Sequence, residues 1–155
     1  MVKNYLLVIF FVFTTGCGYE AIYSKKNRII NSDFSITEVY LSGDRNLNIQ
    51  IKKKLNNYNR IEKTKNYILN ITTEVNRIIV ANDSKGDPSI YELQVTVVIL
   101  TTKENNENIK IKLNESFKYN NIEDKFELER SENEIKNNLA ETIVRRLISE
   151  LVNFR

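Results

Sequence analysis

The chain has 155 residues, of which 41% are hydrophobic, 28% charged and 10% aromatic, the profile of one globular domain rather than of a disordered or collagenous chain. No histidine, no tryptophan and a single cysteine leave no material for zinc sites, disulfide scaffolds, histidine acid–base chemistry or Cys–His nucleophiles. With 23 Lys+Arg against 20 Asp+Glu, a net charge of +3 is too balanced for a nucleic-acid binder in the absence of a concentrated basic face, so any function must come from binding or from carboxylates, lysines and hydroxyls, with no cofactor and no metal expected.

Residues 1–16 have the order of an export signal: Lys3, an unbroken apolar run from Leu6 to Phe13, then the small residues Thr14, Thr15 and Gly16. Eight apolar residues are too few for a helix that must cross a hydrocarbon core, which needs about 20. Cys17, the only cysteine, follows directly, where bacterial lipoproteins are cut and acylated; Thr14 stands where leucine is usual in that motif. The alternatives are an ordinary signal peptide or a short buried segment. A lone thiol in an oxidising compartment favours lipidation at Cys17. Two or more acyl chains would make the attachment stable. Gly18, rather than Asp, after Cys17 points to the outer membrane by the sorting rule for such proteins.

Residues 17–32 carry Lys25, Lys26 and Arg28 without periodicity and read as a tether, leaving 33–155 as the folded domain. Phe34 to Leu41 is a predicted strand whose alternation slips between Ile36 and Val39, the mark of a bulge. Asp44 follows a Ser42-Gly43 turn as a candidate N-cap, and Leu47, Ile51, Leu55 and Tyr58 then recur at helical spacing.

Three segments of period two come next. Tyr67, Leu69, Ile71, Thr73 and Val75 share one face of the first; Tyr91, Leu93, Val95, Val97 and Ile99 share one of the second; Ile109, Ile111, Leu113, Phe117 and Tyr119 share one of the third. Short connectors make the three antiparallel neighbours. The wet-face lysines of the third segment, Lys110, Lys112 and Lys118, could bind phosphates, but lysine on a terminal strand more simply blocks edge-to-edge aggregation. Ser131-Glu132-Asn133-Glu134 has the form of a capping box, followed by an apolar stripe from Ile135 to Leu151. The predicted architecture is α+β, a two-layer sandwich of a four-stranded, mostly antiparallel sheet with two helices on one face, in the order β-α-β-β-β-α.

Candidate chemistry is sparse. Asn82 to Asp87 invites a calcium-loop reading, but the twelfth position from Asp83 is Gln94 instead of Glu, so a plain hairpin turn is the better reading. Ser84 and Lys85 are consecutive and cannot readily converge as a dyad. Glu127, Glu129 and Glu132 are accounted for by the start of a helix, where anions are favoured.

Gly16-Cys17-Gly18-Tyr19 with Ala21-Ile22-Tyr23, the segment Gly86 to Leu93, and the segment Phe126 to Glu134 with Asn138-Leu139-Ala140 together resemble the LPS-assembly lipoprotein LptE family across nearly the whole chain. Ala21 stands where that family commonly has proline. The resemblance implies a non-enzymatic, lipid-anchored outer-membrane protein facing the periplasm, seated as a plug in the lumen of the β-barrel LptD, which helps that barrel assemble and assists lipopolysaccharide delivery. By position in the matching segments, Lys85 and Arg130 are the implied lipopolysaccharide contacts, a solvated surface charge being the alternative for each. The competing reading is a periplasmic auxiliary lipoprotein of a lipid-transport ATPase system; a carboxylate-dependent cell-wall hydrolase is more distant.

Overall fold

The structure, a computed structural model, describes residues 34–58, 65–103 and 108–153. The leader, Cys17 and the tether of 17–32 lie outside the described residues. The elements are β1 (Phe34–Gly43), α1 (Arg45–Leu55) with a 3-10 turn at Asn56–Tyr58, β2 (Lys65–Asn82), β3 (Pro88–Lys103), β4 (Asn108–Asn120) and α2 (Lys125–Asn153). They form a four-stranded sheet in the order β1-β2-β3-β4, with β1 parallel to β2 and the other pairs antiparallel. The expected fold class and element order are therefore observed, with a mixed, mostly antiparallel sheet.

The period-two segments place their apolar sets on one face. Tyr67, Leu69, Ile71, Leu93, Val95, Val97, Ile99, Ile111 and Leu113 are buried there against Leu47, Ile51 and Leu55 of α1 and the stripe Ile135 to Leu151 of α2. The slip foreseen in β1 is a register shift between Ile36 and Glu38. β4 is an edge strand, so Lys110, Lys112 and Lys118 stand where cations discourage strand addition.

Parallel strands need a crossover, and α1 supplies it. Its start is fixed by Asp44, whose Oδ1 accepts from Leu47 N at 2.7 Å while Oδ2 accepts from Lys136 Nζ at 3.3 Å. Together with Asn46 Nδ2 to Asn133 Oδ1 at 3.5 Å and Lys54 Nζ to Glu141 Oε2 at 3.6 Å, that pair sets α1 alongside α2 in parallel.

Two sequence expectations change. Ser131 is not a helix cap: α2 begins six residues earlier at Lys125, because Asp124 Oδ1 accepts from Phe126 N at 2.8 Å and Glu127 N at 3.2 Å and starts the helix first. Phe117 lies on the inner face as expected but is 51% exposed, since β4 is an edge strand of the sheet.

Candidate functional site

β1 pairs with β2 only as far as Thr73, so the remaining half of β2, the facing half of β3 and the end of β4 project past β1 and α1. Because Asn46 stands beside Asn133, the α2 residues before Asn133 lie beyond the start of α1 and belong to the same overhang. The overhang is held by one polar cluster. Glu132, whose side chain is 17% exposed, accepts on Oε1 from Arg77 Nη1 at 3.0 Å and from Tyr119 Oη at 2.6 Å. The Arg77 guanidinium lies 5.0 Å from the centre of the Tyr91 ring, and Tyr91 packs on Tyr119 with ring centres 5.8 Å apart. Burial first, then the hydrogen bond to Glu132, raises the Tyr119 hydroxyl well above the usual phenol range. The same carboxylate holds Arg77 more firmly protonated.

This cluster is not visible from sequence. Arg77 falls at an inward position of an alternating strand, where an apolar residue is the default. Only that break in the pattern hints at a partner on the facing helix.

Around the cluster, Ile78, Ile79, Val80, Phe117, Ile122 and Phe126 are exposed, the last at 85%. The hairpin that ends the overhang is closed by Asp83, whose carboxylate accepts from Lys85 N at 2.8 Å and Asp87 N at 2.9 Å, while Gly86 takes φ +90°. The Asp83 oxygen is thus engaged by backbone, as a plain turn requires.

Lys85 stands at that tip, exposed. Arg130 lies on an exposed face of α2, within 3.9 Å of Glu127 and 4.0 Å of Glu134, and lines a shallow groove with Gln50, Phe126 and Asn133. Both belong to the overhang end, but no hydrogen bond or ion pair among the described residues joins them. Cys17 falls outside the described residues. Within them no cluster of three or more carboxylates or thiols could hold a metal ion, and no helix is long and apolar enough to cross a membrane.

No family model and no curated protein matches the sequence. Among solved structures the fold is similar to the rare lipoprotein B from Shewanella oneidensis, with a TM-score of 0.56 at 19% identity over 75% of this chain and 97% of that one. It is also similar to a minor lipoprotein from Acinetobacter baumannii, with a TM-score of 0.51 at 16% identity over 74% of this chain and 92% of that one. The α+β sandwich is thus a fold shared with lipoproteins of this type.

Proposed function

We propose that the chain is an outer-membrane lipoprotein of the LptE type, acylated at Cys17, that plugs and helps assemble an LptD-like β-barrel and assists delivery of lipopolysaccharide to the outer leaflet. The observation that carries this reading is the fold likeness, which spans nearly the full length of two lipoproteins in the same arrangement. The leader and Cys17 agree with it. So does the overhang, since a barrel lumen is wet and a plug must offer polar loops and strand ends as well as scattered apolar anchors. Lys85 at the hairpin tip and Arg130 on α2 are the proposed phosphate contacts, as cations accessible at the projecting end.

The test is co-purification. A tagged copy drawn from detergent-solubilised outer membrane is expected to bring down one large heat-modifiable barrel in equal amount. Recovery of an inner-membrane transporter instead overturns the proposal in favour of the adaptor reading. Cys17→Ala is expected to release the domain from membranes, and its retention there would refute the anchor.

A further inference from the structure

The charge of this chain is unevenly placed. Residues 45–66 hold seven cations against one acid, Glu62, whereas the other 133 residues hold sixteen cations against nineteen acids. The net charge of +3 therefore conceals a strongly basic segment on a mildly acidic remainder. Most of the described part of that segment is α1, which has no acidic residue at all.

On α1 the spacing sorts the residues into two faces. Leu47, Ile51 and Leu55 are buried toward the sheet. Arg45, Ile49, Lys52 and Lys53, at i, i+4, i+7 and i+8, are all exposed and form a stripe on the other side. Lys54 is committed to Glu141, but among the described residues Arg45, Lys52 and Lys53 have no acidic partner. Between Arg45 and Lys52 a shallow groove is floored by Leu41 of β1 and Ile49, the latter 42% exposed.

The helix dipole accounts for lysines in the last turn of α1. It disfavours Arg45 in the first turn and is indifferent to an exposed isoleucine. A stripe of unpaired cations around apolar side chains has the chemistry of a surface that meets anionic headgroups and the hydrocarbon just beneath them.

Phe34 also lies at the lysine end of α1. The ring of Phe34, the first described residue, stacks against Tyr58 just past α1, with centres 6.4 Å apart and planes 7° apart. In sequence, the stretch between Cys17 and Phe34 carries Lys25, Lys26 and Arg28 as well. We propose that the exposed face of α1, carrying Arg45, Ile49, Lys52 and Lys53, docks the domain on an anionic glycerophospholipid surface. A basic patch of this kind supplies a second membrane signal beside an acyl anchor and orients the domain, with the overhang directed away from the lysine end of α1.

The chain has no tryptophan, so an Ile49→Trp reporter gives a single emission centre on the proposed face. The full-length protein carrying it is reconstituted in phosphatidylcholine vesicles with and without phosphatidylglycerol, with brominated acyl chains as quenchers. The expected result is a blue shift and quenching that grow with phosphatidylglycerol content and are reversed at about 0.5 M salt, where screening reaches only a few ångströms. Arg45→Gln, Lys52→Gln and Lys53→Gln are each expected to lower the docked-to-undocked ratio about fivefold, and roughly 100-fold together. Circular dichroism of these surface variants should be unchanged. Emission independent of phosphatidylglycerol, or an unaltered response in the triple variant, overturns the proposal; the former would point to an acidic protein surface as the partner. No barrel or lipopolysaccharide enters this measurement, so its failure leaves the proposed function standing, and failure of the co-purification leaves this surface standing.

Discussion

The Tyr119 hydroxyl donates to Glu132 Oε1 across 2.6 Å, joining the end of β4 to the second turn of α2. Arg77 closes on the same oxygen from β2, so one carboxylate connects three elements of the overhang. Removing it by Glu132→Ala leaves the buried Tyr119 hydroxyl without its acceptor and returns the half-exposed Arg77 guanidinium to water, and the expected cost is about 2–3 kcal/mol in chemical denaturation. Arg77→Met, which replaces the cation by an apolar side chain of similar reach but leaves the carboxylate facing Tyr119, should cost less, about 1–2 kcal/mol.

The same cluster makes stability fall in alkali. Tyr119 keeps its proton in the folded chain to a pH well above the ordinary value of 10.0, whereas the unfolded chain releases it near that value. The folded state then binds more protons than the unfolded one, so the contribution is complete below about pH 10 and declines as pH rises beyond it. Tyr67, raised by burial, acts in the same direction. Urea midpoints measured from pH 8 to 11 should fall at the upper end, and Tyr119→Phe should flatten part of that slope while Tyr67 retains the rest.

Gly43 ends β1 at φ +98°, and a Cβ there would stand 1.8 Å from the carbonyl oxygen of Thr73. The close approach is productive: Asp44 N donates to that oxygen at 3.3 Å, and the Thr73 hydroxyl reaches the Ser42 carbonyl at 3.2 Å and Asn48 Oδ1 at 2.9 Å. Any side chain must push apart the parallel pair at the point where α1 begins. Gly43→Ala is expected to lose about 3 kcal/mol or more, read as a lowered thermal midpoint with reduced near-ultraviolet circular dichroism.

The fold was legible because alternation in three strands and the α1 and α2 stripes agree on a single buried face, and a one-residue slip would have turned Leu69, Val97 or Leu113 outward. Asp44 announced its helix correctly. The start of α2 was misplaced because Ser131 and Glu134 satisfy a capping pattern without being near a helix end, while the real cap, Asp124, sits before the exposed Phe126 and lacks an apolar run to advertise it. The overhang was missed for a related reason. Past Val75 the strand carries Arg77, Ile78, Ile79 and Val80 without alternation, since neither face there is fully covered, so the pairing that extends β2 to Asn82 is written in hydrogen bonds and not in hydropathy. Lys85 and Arg130 are nominated only through family resemblance, because a solvated cation leaves no periodic trace.

Thr101 lies on the inner face of β3 with its residue wholly buried, and its hydroxyl has no hydrogen-bond partner among the described residues. Its neighbour across the strand pair is Leu69, and Val97 and Ile99 continue the same strand in the core, so the surroundings favour a methyl over a hydroxyl. A buried hydroxyl without a partner has lost its water bonds and gained nothing in exchange. Thr101→Val keeps the branched shape and removes that desolvation penalty, which should raise stability by about 1 kcal/mol. Thr101→Ala serves as the contrast: it also deletes the hydroxyl but opens a cavity, and the lost packing should make it about 1 kcal/mol less stable than the parent. Equal destabilisation by both substitutions would mean that the hydroxyl holds an internal water and contributes to the core as a polar group.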